Sequence, residues 1–390
     1  TPAKVRVSVD MNQFQNLRST TAGLVQISSA AAVNVPSPVR VLVNNREPDQ
    51  RGTVVNVPGK LVDILADPFR DRFYILRQDT NQVLVFRSSD YQQIGTLRTG
   101  NTPTQMALTF DGDYLLVAND DSQIITVLDL TRMQAAAPVV MPPGHYPRSI
   151  AASANAILVA SRVVGPAHTI DRVNLFTRMA TTLPSLGVWE NKIHLNTVLV
   201  GTPSGSSILA AMADGQVLLY SAVADTFTVW RKDFAELSGP YAASDFDQFV
   251  LGTVFLNPSL VPIRQLETDT GAPSGFAFAE GYGVKTNATP GAVPGVVQRV
   301  DLARGDGLRP TRMIEAPLVG APGAVFTRTL AALTNRSALI SLSTSGFTVL
   351  PWNYDAPVPT PALEQVVNAA DRSQAVAAGG LVVVEGTGLS

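Results

Sequence analysis

The chain has no cysteine, which excludes disulfides, thiolate zinc sites and cysteine nucleophiles and leaves its compartment open on that ground. Charge is scarce: 15% of the 390 residues are charged, and Lys+Arg 29 against Asp+Glu 31 leaves a formal charge of −2. The basic residues are scattered, so no nucleic-acid partner and no polybasic membrane contact is expected. Hydrophobic residues make up 45%, yet no apolar run approaches the roughly 18 to 20 residues of a membrane helix, so no membrane insertion is expected. Catalytic signatures are absent as well. There is no phosphate-binding glycine loop ahead of a helix and no His-Glu-x-x-His. In Gly201-Thr202-Pro203-Ser204-Gly205 a serine stands between glycines, but no strand-to-helix elbow follows, so a hydrolase nucleophile is not expected there.

Turn formers are plentiful instead. Gly 29 and Pro 27 separate short apolar segments, which suits many strands better than helices. The most informative stretch runs from Asp111-Gly112-Asp113 through Tyr114-Leu115-Leu116-Val117-Ala118-Asn119 and Asp120-Asp121-Ser122 to Ile124-Ile125-Thr126-Val127-Leu128-Asp129. It reads as turn, strand, polar turn, strand. Setting Leu76 on Ala118 places Val83 and Val85 on Ile125 and Val127, a unit of about forty residues. Gly100-Asn101-Thr102-Pro103 and Gly144-His145-Tyr146-Pro147 close successive copies, with Pro240, Pro273 and Pro322 as later equivalents.

Further copies carry Ile157–Ala160 with Ile170–Leu175, and Ile208–Ala211 with Val217–Tyr220. The weaker ones carry Phe249–Gly252 with Ile263–Leu266, Gly275–Phe278 with Val297–Leu302, and Leu330–Leu333 with Ala338–Leu342. One hairpin cannot bury its own faces, so the copies must pack together. Seven such units of four short strands predict an all-β fold, a seven-bladed β-propeller over residues 53–354. Gly52-Thr53-Val54-Val55-Asn56-Val57 precedes the first copy and would supply the outer strand of the last blade, removing an open edge.

The Asp-Gly, Tyr-Leu-Leu-Val-Ala-Asn and Ile-Thr-Val-Leu-Asp-Leu elements resemble the YVTN-type propeller repeats of bacterial surface and periplasmic proteins. At the N-terminus Thr1–Asp10, Gly23–Ser28 and Pro38–Val43 resemble the second half of a BACON domain, an immunoglobulin-like sandwich of secreted bacterial proteins. That resemblance implies a partial module over residues 1–46, whose first strands precede Thr1, followed by a linker at 47–52. A Pro-rich linker spans 355–363. Beyond it, Val367–Ala370 and Ala377–Leu389 resemble the opening of a C-terminal immunoglobulin-like domain, over 364–390. Together the resemblances imply a piece of a secreted or cell-surface bacterial protein, monomeric within a larger multidomain chain.

On a propeller the loops between second and third strands share one face with those between blades, and ligands dock there. These loops are expected at Arg77–Gln82, Asn101–Thr104, Asn119–Ser122, Gly144–Arg148, Arg162–Asp171, Glu190–Asn196, Glu280–Gly295 and Asn335–Ser337. All three histidines, His145, His168 and His194, fall on them. With Asp120, Asp121, Asp171 and Glu190 nearby they offer acid–base or ligand groups, though no compact metal motif and no cofactor is indicated. Arg148 and Arg162 could grip a carboxylate or a sugar, or be pinned to neighbouring acids and carbonyls. Tyr146, Trp189 and Tyr282 could stack on sugar rings. The candidate ligand-binding set is therefore His145, Tyr146, Arg148, Arg162, His168, His194, Asn101 and Asp121, with no catalytic and no metal residue assigned.

These features predict a noncatalytic recognition or scaffold propeller that binds a glycan or a protein through its loop face. The alternative is a propeller hydrolase or lyase, lactonase-like, with a metal or polar site at the channel mouth.

Overall fold

The computed structural model describes residues 8–14, 20–26, 38–44, 49–165, 167–266, 271–289, 294–304, 307–319, 325–356, 362–375 and 381–387. Thr1 to Val7, Ile27 and Ser28 of the N-terminal resemblance, Ala377 to Gly380, Gly388 and Leu389 of the C-terminal one, residues 47–48 and 357–361 of the two linkers, and Pro322 lie outside them. Two compact units divide the chain at Trp352 and Asn353.

In the larger unit, antiparallel meanders follow one another. The first joins Leu61–Ala66, Arg72–Arg77, Gln82–Arg87 and Gln93–Arg98. A nine-stranded sheet comes next. It holds one meander built on Pro103–Leu108, Tyr114–Asn119 and Ile124–Asp129, and another on His145–Ala152, Ile157–Val163, Thr169–Asn174 and Met179–Thr182, bridged by parallel pairing of Val140 with Met179. Further sheets begin at Thr197–Gly201, Gly239–Ala243, Ala272–Ala279 and Leu330–Ala332. The first strand of each meander lies beside the first strand of the next, and Leu330–Ala332 lies beside Leu61–Ala66. The sheets therefore stand around a central channel in a propeller arrangement, with the channel lined by first strands.

The period-two pattern explains why whole strands are buried. In Arg72–Arg77, Phe73 and Ile75 pack with Ile340, Leu342 and Phe347 of the last sheet, while Tyr74 and Leu76 pack with Met106, Leu115 and Val117 of the next. Both faces of a blade thus meet a neighbour, so the apolar runs are continuous instead of alternating. Phe73 stacks on Phe86 at 5.2 Å, and the edge of Phe347 meets both rings at 5.5 and 5.1 Å. Each such side chain contributes roughly 1.5–3 kcal/mol on burial.

The equivalence of the first two copies holds residue by residue, since Leu76 pairs with Val83 as Ala118 pairs with Ile125. At the Asp-Gly turn, Asp111 Oδ1 accepts from Thr109 Oγ1 at 2.5 Å and from the Asp113 amide at 3.0 Å, and Gly112 takes a φ of 73° that favours glycine. The predicted edge strand is present: Thr53–Asn56 pairs antiparallel with Gly346–Pro351, joining the start of the propeller to its end. Gly346 lies where a Cβ would meet Val55 O at 2.2 Å, so that closing contact admits no side chain. Arg51, in the predicted linker, exchanges backbone hydrogen bonds with Arg312 and Ile314.

Two expectations are corrected. Tyr282–Ala288, read from sequence as part of a long unpatterned loop, is a strand paired with Ala272–Ala279 and with Val296–Asp301. Its buried Lys285, Thr286 and Asn287 hide the pattern, because polar side chains occupy inward positions. Pro290 to Val293 of the same expected loop lie outside the described residues. The turn Asn335–Ser337 joins a first strand to a second, so it and Glu280 lie on the rim opposite the one expected for them. Arg336 and Glu280 pair with each other there.

Flanking the propeller, Thr20–Val25 pairs antiparallel with Val39–Asn44, and Arg40 from that hairpin donates to Asn56 Oδ1 at 2.9 Å and to Thr344 O at 2.9 Å. In the smaller unit Ala362–Asn368 pairs antiparallel with Val382–Thr387.

Candidate functional site at the channel mouth

Seven of the eight sequence-derived candidates converge with Asp120 into one network on the rim where second strands turn into third strands. Asp120 follows the strand Tyr114–Asn119, and two guanidinium groups meet it: Arg148 Nε lies 3.1 Å from Oδ2 and Arg162 Nε donates to Oδ1 at 2.8 Å. Arg162 Nη2 also reaches Asp121 Oδ1 at 3.3 Å, and its guanidinium lies 4.4 Å from the centre of the Tyr146 ring. Arg148 Nη1 donates to Leu195 O at 2.9 Å and to Asn196 Oδ1 at 3.4 Å. Both arginines are thus pinned from several sides. Arg162 lies over one face of the half-buried Tyr146 ring.

His168 Nδ1 accepts the Val163 amide at 3.1 Å, and His194 Nδ1 accepts the Asn196 amide at 3.1 Å. Those bonds fix the tautomer, so each neutral imidazole carries its proton on Nε2. Burial lowers the pKa of His168, the charges of Arg148, His194 and Arg162 lower it further, and Asp120 opposes them. Asn101 donates its amide to Ser122 Oγ at 2.9 Å and Asp121 Oδ2 accepts from Thr102 Oγ1 at 2.7 Å, which ties the loops of two sheets together. His145 is the exception to the convergence: its Nδ1 lies 2.9 Å from Asp171 Oδ2 within its own sheet.

A cavity of about 210 Å³ opens beside this network, lined among others by Lys60, Gln78, Thr102, Thr104, Asp120, Arg148, Asn196, Thr197, Tyr241 and Phe326. Lys60 is positioned by Asp79, whose Oδ1 accepts the Lys60 amide at 2.9 Å and whose carboxylate receives Arg77 through Nε and Nη2, each at 2.9 Å. That fork holds the Asp79 carboxyl below its ordinary range. The Lys60 ammonium itself has no hydrogen-bond or ion-pair partner among the described residues.

Below the mouth the channel is closed by a belt that sequence reasoning missed. Gln105 Nε2 donates to Leu199 O at 3.1 Å and to the Tyr241 hydroxyl at 2.8 Å, while its Oε1 accepts from Ser149 Oγ and from the Ile150 amide. Arg328 donates to Asp63 through Nε at 2.7 Å and Nη2 at 2.6 Å. Burial pushes the Asp63 carboxyl up, against the pull of Arg328 and the amides of Met106 and Ile64. Burial likewise works against charge on Arg328, but Asp63 and Tyr241 together outweigh it and hold the guanidinium above its usual value. A lone acid inside Leu61-Val62-Asp63-Ile64-Leu65 was the available sequence signal.

The other sequence candidates lie elsewhere. Trp189 packs against the core between two sheets, 6.3 Å from Trp230. Tyr282 lies under Arg299 at 4.4 Å and beside Trp352 at 6.5 Å, near the opposite rim. Among the described residues no group of three or more His, Asp or Glu side chains could hold a metal ion.

Fold and rim together define a β-propeller with a polar, hydrogen-bonded channel mouth. No protein-family model matches the chain, and no curated protein matches it. Among solved structures it is similar to Kuenenia stuttgartiensis hydrazine synthase, with 15% identity and a TM-score of 0.56 over 77% of this chain and 98% of that one. It is similar also to the β-propeller domain of Myceliophteria thermophila Cps50 (Swd1), with 14% identity and a TM-score of 0.57 over 76% of this chain and 98% of that one. At such identities the likeness speaks for the fold alone.

Proposed function

We propose that the chain is a noncatalytic recognition propeller of seven blades, carried by a secreted or surface-attached bacterial protein of the YVTN-repeat kind and flanked by immunoglobulin-like modules. Its ligand, a glycan or a protein, is engaged at the channel mouth. The observation that carries this reading is the convergence of Arg148, Arg162, His168, His194, Asn101 and Asp121 at one rim, where Arg148 lines a cavity of mixed polar and apolar walls. The count of seven is supported by dividing the nine-stranded sheet where Val140 meets Met179.

A cavity of about 210 Å³ is smaller than the roughly 300–1,000 Å³ of small-molecule sites, so it suits one sugar ring or one side chain of a larger ligand. The arginines are already held in place, which lowers the entropy lost when a ligand binds. The alternative is a propeller hydrolase or lyase, lactonase-like, with a metal or polar site at the channel mouth. Glycan and polypeptide arrays test the proposal, run beside a lactone and ester hydrolysis screen. Binding without turnover is expected; turnover with inert arrays contradicts it.

A further inference from the structure

The hydrogen-bonding capacity left over at the mouth is lopsided. Thr102 Oγ1 gives its proton to Asp121, Thr104 Oγ1 to Arg148 O at 2.6 Å, and Thr197 Oγ1 to His194 O at 2.5 Å. Gln78 Nε2 donates to Pro103 O at 2.9 Å. Each threonine lines the cavity with its one donor used inside the protein and oxygen lone pairs left for a ligand, and Gln78 keeps Oε1 and a second N–H. They ask for O–H groups.

Donors face the same space, and two of them, Lys60 and Arg148, are cationic. Lys60 has no partner among the described residues, Arg148 keeps Nη2 beyond the bonds made by Nε and Nη1, and Asn196 keeps Nδ2. The Tyr241 hydroxyl accepts from Gln105 and has its own proton to give, and burial pushes its pKa up, so that proton stays on. The one lining carboxylate, Asp120, is engaged by two arginines. These donors ask for an anion.

We infer that the mouth binds a uronic acid residue of an acidic polysaccharide, the carboxylate on Lys60 and Arg148 and the ring hydroxyls on Gln78, Thr102, Thr104 and Thr197. This rests on the recognition reading above and names its ligand class. A neutral sugar leaves Lys60 unpaired. An acidic peptide side chain satisfies Lys60 but brings no hydroxyl to the ring of acceptors, and a buried acceptor left unmet weakens binding.

The test is isothermal titration of the full chain with tetragalacturonate, a neutral galactotetraose and tetraglutamate at pH 7. The uronate is expected to bind at least about tenfold more tightly than either control, as a charge-assisted hydrogen bond allows. Lys60→Met should remove the preference over the neutral sugar with no change in unfolding temperature, and Asn196→Ala should weaken all saccharides. Because His168 senses the charge of Arg148, its imidazole should titrate at a higher pH with the uronate bound and be unmoved by the neutral sugar. Equal binding of acidic and neutral sugars, or a preference that survives Lys60→Met, overturns the uronate assignment and leaves recognition standing. Tighter binding of tetraglutamate makes the ligand a polypeptide. Inert glycan and polypeptide arrays remove the recognition reading itself.

Discussion

One channel holds two arginine–aspartate arrangements with different work to do. At the floor Asp63 is buried and receives a bidentate fork from Arg328, 265 positions away in the chain. At the mouth Asp120 is 19% exposed and is shared by Arg148 and Arg162, whose side chains are 25% and 31% exposed. The floor pair joins the first meander to the segment before Leu330–Ala332 and so ties the two ends of the ring. The mouth pair lies in wet, screened surroundings, where an ion pair is worth little to stability and its donors are free to be shared with a ligand. The carboxylate's burial separates the two, 2% exposed at Asp63 against 19% at Asp120, whereas Arg328 is itself 19% exposed.

The largest effect should come from breaking the floor. Arg328→Met leaves Asp63 buried without its partner and should cost about 3–5 kcal/mol in urea unfolding. A loss under about 1 kcal/mol, the scale of a surface pair, would erase the distinction drawn between the two. Next comes Gly59→Ala: with φ at 128° and a Cβ that would meet Arg77 Nε at 2.2 Å, it should cost roughly 1–3 kcal/mol and displace Lys60. Loss of binding beyond the loss of stability is expected, because the Arg77–Asp79 fork that holds Lys60 is pushed aside.

At the mouth Asp120→Asn should change stability by no more than about 1 kcal/mol, while loosening both arginines and weakening ligand binding several-fold. A stability loss equal to that of Arg328→Met would sink the comparison. The smallest effect concerns pH. His168 holds its proton less tightly folded than unfolded, so its contribution is present above the ordinary histidine pKa and is lost as pH falls below it, where the unfolded chain takes up the extra proton. His168→Gln should flatten the stability profile between about pH 7 and 5. If wild type and variant lose stability in parallel, His168 is not responsible.

The floor and the mouth also differ in how far they were legible in sequence. Rim residues sit in polar turns or at the strand ends beside them, Arg148 and Arg162 in the strands His145–Ala152 and Ile157–Val163, so the repeat frame exposes Arg148, Arg162, His168 and His194 as neighbours on one face. Their partner Asp120 lies in the best-patterned copy. Asp63 and Arg328 come together through closure of the ring, which no local pattern encodes. Tyr282–Ala288 was missed for a related reason: Lys285 and Asn287 are buried polar residues, and a strand that hides them reads as a loop. Pattern reveals what faces the core. It does not reveal which polar groups the channel satisfies.

The central claim, that one rim recognises and the other does not, is tested most directly by hydrogen–deuterium exchange of the full chain with and without the best saccharide from the arrays. Protection confined to residues 58–60, 77–82, 99–105, 119–122, 144–148, 162–165 and 190–198 is predicted. Protection at the opposite turns, 67–71, 109–113 and 244–248, would contradict it.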